Sequence, residues 1–242
     1  MRIIFVRHCE PDYEIDSLTK KGWREAELLA KRVLNWDVKD FYVSPLGRAQ
    51  DTARVCLDLR AKEGRNADFT TKEWLKEFYF NLTDPEDNKP HKCWDLMPSY
   101  YSPYDELHNH KSWCDSPLMK SGDIRGKYEA VARPFDELLA TYGYERQEDG
   151  TYKVTNSNED TIVMFCHFGI TGLLTGHLTG IAPPQIWQGF CMAPSSVTVI
   201  GTEECEKGIA SFRVQQFGSV SHLTGAGEPV SSMGYFAEVL SV

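Results

Sequence analysis

The sequence predicts an α/β fold: a three-layer sandwich with a mixed, mainly parallel central sheet, helices on both faces and an inserted cap. Three observations carry this expectation. Two short runs, Ile3-Ile4-Phe5-Val6 and Ile162-Val163-Met164-Phe165-Cys166, are continuously apolar, as strands buried on both faces of a parallel sheet are. Helical spacing alternates with a further short strand between them, the order that builds βαβ units. From about Phe78 to Gly122 the periodicity fails. A long irregular stretch inside a compact chain points to function.

Each element has its own signal. After the first strand, Thr19 is placed to cap a helix whose Trp23, Ala26, Ala30, Val33 and Leu34 recur at spacings of three and four. Phe41-Tyr42-Val43 reads as a short strand. The following Ser44-Pro45 reads as a helix start, with serine capping and proline in the first turn. Leu46, Ala49, Ala53, Cys56 and Leu57 mark the apolar face of that helix. The irregular stretch, rich in Tyr79, Phe80, Trp94, Tyr100, Tyr101, Tyr104 and Trp113, is expected to be a cap over about 78–124 within one domain spanning 1–242. Helical spacing returns over 125–142. Asp149-Gly150 between two strand-like segments signals a hairpin. A helix near Gly169, a short one opened by Pro183-Pro184, and strands at 196–200 and 211–217 complete the reading.

The 242 residues are 41% hydrophobic and 25% charged, enough for a substantial core. A net charge of −9 argues against nucleic acid or an anionic membrane as a partner. A small anionic substrate fits if its site is locally basic. No uninterrupted apolar stretch of ~18 residues occurs, so no membrane span is expected. The apolar run before Arg7 is too short for a signal peptide. The seven cysteines are scattered without a C-x-x-C pair, which reads as reduced thiols and a cytoplasmic location. Cys9 and Cys166 flank histidines, yet no C-x5-R loop exists, and the thiolate reading is set aside.

The chemistry sits at strand ends. Arg7-His8 closes the first apolar run and His167 closes the second, where open α/β sheets meet ligands. Two histidines and an arginine converging on one crevice suit a phosphoryl group. The surrounding order adds to this. Phe5-Val6-Arg7-His8-Cys9-Glu10, then Leu18-Thr19-x-x-Gly22-x-x-x-Ala26, then Ser44-Pro45-Leu46-Gly47-Arg48-Ala49 follow one another, with Leu75-Lys76-Glu77 and Cys166-His167-Phe168-Gly169 beyond. Together they resemble the histidine phosphatase superfamily, the phosphoglycerate-mutase-like fold, over roughly two-thirds of the chain but not over the cap.

The resemblance implies that His8 is a nucleophile accepting the phosphoryl group and that Arg7 and Arg48 bind phosphate oxygens. It further implies that His167 completes the pocket and that Glu77 protonates the leaving oxygen. Glu10, Asp12, Asp105 and Glu106 are alternative acids. Ser221-His222-Leu223 resembles the segment that closes this fold, making His222 a pocket edge or a plain turn residue. Cys9 stands where glycine is commonest, Phe168 replaces the first glycine after the second histidine, and Tyr13 and Glu14 occupy the place of a frequent asparagine.

The cap histidines His91, His108 and His110 lack cysteine partners at ligand spacing. No metal and no organic cofactor is expected. The expected activity is phosphomonoester hydrolysis on a small phosphorylated substrate. The alternatives are mutase-type transfer, for which the cap offers only Lys89, Lys92, Lys111 and Lys120, and a non-catalytic phosphate-binding protein on the same fold.

Overall fold

Eight strands form one sheet, and its register explains why both apolar runs are unbroken. The computed structural model describes residues 1–83 and 88–233; residues 84–87 of the expected cap and 234–242 lie outside the description. The sheet strands, in chain order, are β1 (Arg2–Arg7), β2 (Asp40–Val43), β3 (Phe69–Thr71), β4 (Tyr144–Arg146), β5 (Tyr152–Val154), β6 (Thr161–Cys166), β7 (Val197–Glu206) and β8 (Ile209–Ser219). Their spatial order is β3-β2-β6-β1-β7-β8-β5-β4. The pairings from β3 to β1 are parallel, and those from β1 to β4 antiparallel. Only β7 and β5 run against the rest, so six of the eight strands share one direction.

The two histidine-bearing strands are neighbours at the centre. Arg7 stands beside Cys166 in a parallel ladder, which brings His8 and His167 to the same sheet edge. Side chains alternate between faces as the period of two requires. Ile4, Val6, Val163 and Phe165 join the core beneath α1 (Lys20–Leu34) and α2 (Gly47–Lys62). Ile3, Phe5, Ile162, Met164 and Cys166 join the core on the other face. There they meet Phe135 of α3 (Ile124–Thr141) and Leu173 of α4 (Phe168–Thr179). Both faces are dry, so neither strand has a polar alternation to display.

Thr19 caps α1 as expected, its hydroxyl accepting from the Gly22 amide at 3.0 Å. Two local readings are corrected. Trp23 is 39% exposed, while Glu25 and Leu29 are buried, so the buried face of α1 is rotated from the one drawn through Trp23. The Ser44-Pro45 pair does not start α2: the helix opens at Gly47, after Leu46 in extended backbone and without a side-chain cap. Asp16 supplies what serine was expected to supply, its carboxylate accepting from the Gly47 amide at 2.7 Å. A Cβ on Gly47 would come within 2.1 Å of the Asp16 carbonyl. Glycine is therefore required where that loop touches the helix.

The hairpin joining β4 and β5 turns through Gly150 at φ +89°, in the left-handed region glycine favours. The described residues of the stretch without periodicity form short pieces, including a two-stranded ribbon of residues 81–83 and 90–92 and single helical turns at 98–101 and 117–121. Leu107, Trp113 and Met119 from this stretch lie in the same apolar core as Ile3 and Phe5. Among the described residues, no helix is long and apolar enough to cross a membrane.

Candidate active site

At the carboxyl ends of β1, β2 and β6 lies a cavity of about 730 Å³. Arg7, Arg48, Glu77 and Phe168 line it together with residues of the irregular stretch. His8 and His167 are closed off beside it, 1% and 0% exposed, their ring centroids 5.1 Å apart. Arg7, at the last position of β1, reaches the Met192 carbonyl and packs over the Phe168 ring. Arg48, in the first turn of α2, is held by Asp16 at 2.5 Å and lies over the Tyr13 ring.

The hydrogen bonds fix the tautomer of His8. Its Nδ1 lies 2.8 Å from the Cys9 carbonyl, and a carbonyl only accepts, so Nδ1 carries the proton and Nε2 the lone pair. Burial, Arg7 and Arg48 together hold this imidazole well below its ordinary range. His8 is therefore neutral at pH 7, and Nε2 is a nucleophile without any prior proton removal. His167 is lowered in the same way by burial, with His8 and both arginines adding to it. Its Nε2 is 2.7 Å from the Ser44 hydroxyl, while its Nδ1 has no partner among the described residues. Arg48 Nε is likewise buried without a partner among them.

Glu77 follows a single 3₁₀ turn at 73–75 that points it back towards the sheet edge. Its Oε1 accepts from the Phe78 amide at 2.9 Å and from the Ile170 amide, in the first turn of α4, at 3.2 Å. Burial raises the carboxyl above its usual range, although Arg7, Arg48 and the two amides act in the opposite sense. Because Oε1 is taken by two donors, Oε2 is the oxygen able to carry a transferable proton. Gly169 makes this approach possible: a Cβ there would lie 2.8 Å from both Glu77 Oε1 and Trp94 Cδ1.

The structure thus brings Arg7, His8, Arg48, Glu77 and His167 together. It does not bring His222 to the cavity. That histidine bonds the Ser195 hydroxyl at 3.0 Å and faces Arg32 of α1, and burial lowers it to about 4. Ser195 in turn donates its amide to the His8 carbonyl, so His222 reaches the His8 backbone only through Ser195. Asp105 and Glu106 occupy a 3₁₀ turn at 105–108 and are absent from the cavity lining. Glu10 accepts from Thr19 and Ser231 instead of facing the cavity. Cys9 and Cys166 are buried thiols pushed well above their ordinary value, Cys166 to about 12.

The cap histidines go to separate partners. His91 packs on Tyr100 and His108 bonds Tyr101, while His110 is lowered by burial and by neighbouring Arg146. Among the described residues, no group of three His, Cys, Asp or Glu side chains is placed to hold a metal ion.

Sequence reasoning missed Ser44, Asp16, Lys76 and Asp95 as site residues. Ser44 had a usable signal, since it directly follows β2 at the same sheet edge as both histidines. Asp16 had none, because only the folded loop brings it to Arg48.

The model of the histidine phosphatase superfamily (branch 1) matches residues 3–124, half of the 242-residue chain. A 2,3-bisphosphoglycerate-dependent phosphoglycerate mutase of Thermoplasma acidophilum is 38% identical over 65 residues, covering 23% of this chain and 32% of that one. The chain thus matches about a third of the length of this curated relative. Among solved structures, a mutant phosphoserine phosphatase from Entamoeba histolytica in complex with phosphoserine aligns with a TM-score of 0.57 at 19% identity, covering 92% of this chain and 98% of that one. The alpha-ribazole phosphatase from Shigella flexneri aligns with a TM-score of 0.54 at 20% identity, covering 91% and 98%. At these identities the likeness is one of fold.

Proposed function

The chain belongs to the histidine phosphatase superfamily, and from that premise we propose that it hydrolyses phosphomonoesters of a small metabolite through a phosphohistidine on His8. One observation carries the reading. Arg48 Nε and His167 Nδ1 are buried polar atoms without a partner among the described residues, and both sit beside an imidazole with a free lone pair. Buried polar atoms are nearly always bonded, and the equatorial oxygens of a phosphoryl group are acceptors for both. In the tautomer where the Ser44 hydroxyl donates to His167 Nε2, Nδ1 carries the proton and can give it to such an oxygen.

The steps follow from these groups. Nε2 of His8 attacks phosphorus, the bond from phosphorus to the ester oxygen breaks, and Glu77 Oε2 gives its proton to that oxygen as the alcohol leaves. Water then attacks the phosphohistidine. Glu77 takes its proton, the P–N bond breaks, and inorganic phosphate and neutral His8 are regenerated. Arg7 and Arg48 neutralise the charge on the transferring group, the main demand that phosphoryl transfer makes on a protein. No metal or organic cofactor takes part in these steps.

Residues 78–124 act in this reading as a cap inserted into a single domain of residues 1–242. Tyr79 and Trp94 lie on the cavity, and the stretch shares its core with the sheet. Hydrolysis is favoured over mutase-type transfer because a mutase must hold and turn a second anionic group. A purely binding role would leave the raised carboxyl of Glu77 without a task. The test is covalent labelling: a phosphorylated substrate should leave an acid-labile, base-stable label, and His8→Ala should remove both label and phosphate release. A label that survives in His8→Ala overturns the assignment.

A further inference from the structure

We propose that the substrate is a phosphomonoester whose alcohol carries an aromatic or comparably apolar ring and no second anionic group. This rests on the phosphatase reading and concerns the part of the cavity beyond the phosphate. Tyr13, Tyr79, Trp94 and Phe168 line it, brought together from three separate segments of the chain. Trp94 stands edge-on to Phe168 with centroids 5.6 Å apart and is tilted against Tyr79 at 5.8 Å. The result is an aromatic wall continuous with the phosphate end. A cavity of about 730 Å³ is of the size that holds a whole small organic molecule. A phosphoryl group alone would fill a small part of it.

The four cations of the cavity lining each have a place: two arginines at the phosphate end and two lysines on the wall. Arg48 is paired with Asp16 and Arg7 reaches the Met192 carbonyl, both at the phosphate end. Of the two lysines on the wall, Lys76 is paired with Glu73 at 2.7 Å. Lys92 bonds the Asn81 side chain and lies 3.8 Å from the centre of the Tyr79 ring. A carboxylate or second phosphate on the substrate would share these lysines with Glu73 and Asn81, and it would meet the Asp95 carboxylate on the same wall. A neutral ring meets no such conflict and buries its surface against four aromatic side chains.

Three phosphonates, which cannot be hydrolysed, separate substrate class from catalysis. Calorimetric titration of the intact protein should show 3-phenylpropylphosphonate binding about 10–100-fold more tightly than propylphosphonate, the gain from burying one aromatic ring. 2-Carboxyethylphosphonate should bind no more tightly than propylphosphonate. Trp94→Ala should bring the phenylpropyl-to-propyl ratio towards one. Tyr79→Ala, a change at an exposed ring that leaves the core intact, should lower it by a smaller factor. If the carboxylate compound binds tightest, or phenyl confers no gain, the proposed class is overturned. Release of phosphate from 3-phenylpropyl phosphate, followed in parallel, tests the underlying reading on its own. The expected phosphonate ranking without phosphate release would overturn hydrolysis and uphold the ligand class. Release that is faster from 3-phosphoglycerate would overturn the class and uphold hydrolysis.

Discussion

The sheet edge and the wall above it solve opposite problems with opposite materials. At the edge, His8 and His167 are each fixed by a strand end, a hydrogen bond and near-complete burial. Across the cavity, the described residues of 78–122 include single turns and a short ribbon between irregular backbone, and two of their aromatic side chains, Tyr79 and Trp94, line the cavity. The phosphoryl transfer proposed for the edge would demand placement to a fraction of an ångström, which rigid strands supply. Recognition of an apolar group demands area and shape, which irregular backbone with large side chains can provide. Changes at the edge should therefore act on the rate constant, and changes on the wall on affinity.

The largest effect is expected at Glu77. Glu77→Gln should slow esters with poor leaving groups by ~10²–10⁴, the range for general acids, and nitrophenyl phosphate much less. Stopped assays on the two ester types read this directly. Equal slowing of both would remove Glu77 from the role of acid. Since burial holds this carboxyl above its usual range and His8 well below its own, the working range should extend far to the acid side of 6.5. The alkaline limb should mark loss of the Glu77 proton.

A smaller effect is expected at Ser44. Ser44→Ala removes one buried hydrogen bond to His167, worth on the order of 1 kcal/mol, so kcat should fall by up to about tenfold with KM little changed. An unchanged kcat would mean that the serine merely supports the Leu46 amide, which it also accepts from.

The smallest effect concerns stability rather than rate. His8, His167, His177 and His222 are all lowered by burial. The unfolded chain binds their protons at the ordinary value of 6.5, and the folded chain only at lower pH, His222 at about 4. Their contribution is therefore fully present above 6.5 and is lost as pH falls below it. Urea midpoints should drop between pH 7 and pH 5, and His222→Asn should make that drop shallower by up to one proton. An unaltered slope would place the His222 titration at its ordinary value.

How much of this was legible before folding depends on how local the cause is. The strands at 2–7 and 161–166, the Thr19 cap, the Asp149-Gly150 hairpin and the pairing of Arg7 with His8 all follow from side chains within a few positions of one another. The register of β1 against β6, which sets the two histidines side by side, follows once both strands are known to be parallel neighbours. Other features were not local. Ser44 has the residue type and the proline neighbour of a helix cap, but its hydroxyl goes to His167, 123 positions away. Trp23 sits at a helical spacing that suits the core, yet α1 turns Glu25 inward to accept the Glu10 amide. Asp16 replaces Ser44 at the start of α2 and also holds Arg48, roles that exist only because a loop closes over that helix end.

By itself, then, the sequence determined which strands are buried, where their ends fall and which ionisable side chains those ends carry, because burial on both faces and strand-end position are written in hydrophobic pattern. Tertiary structure alone decided the tautomer of His8, the raised carboxyl of Glu77 and the aromatic wall. Each of these arises from desolvation and from contacts between distant segments. The energy of a charge or a lone pair depends on everything packed within a few ångströms of it, and no neighbour in sequence reports that.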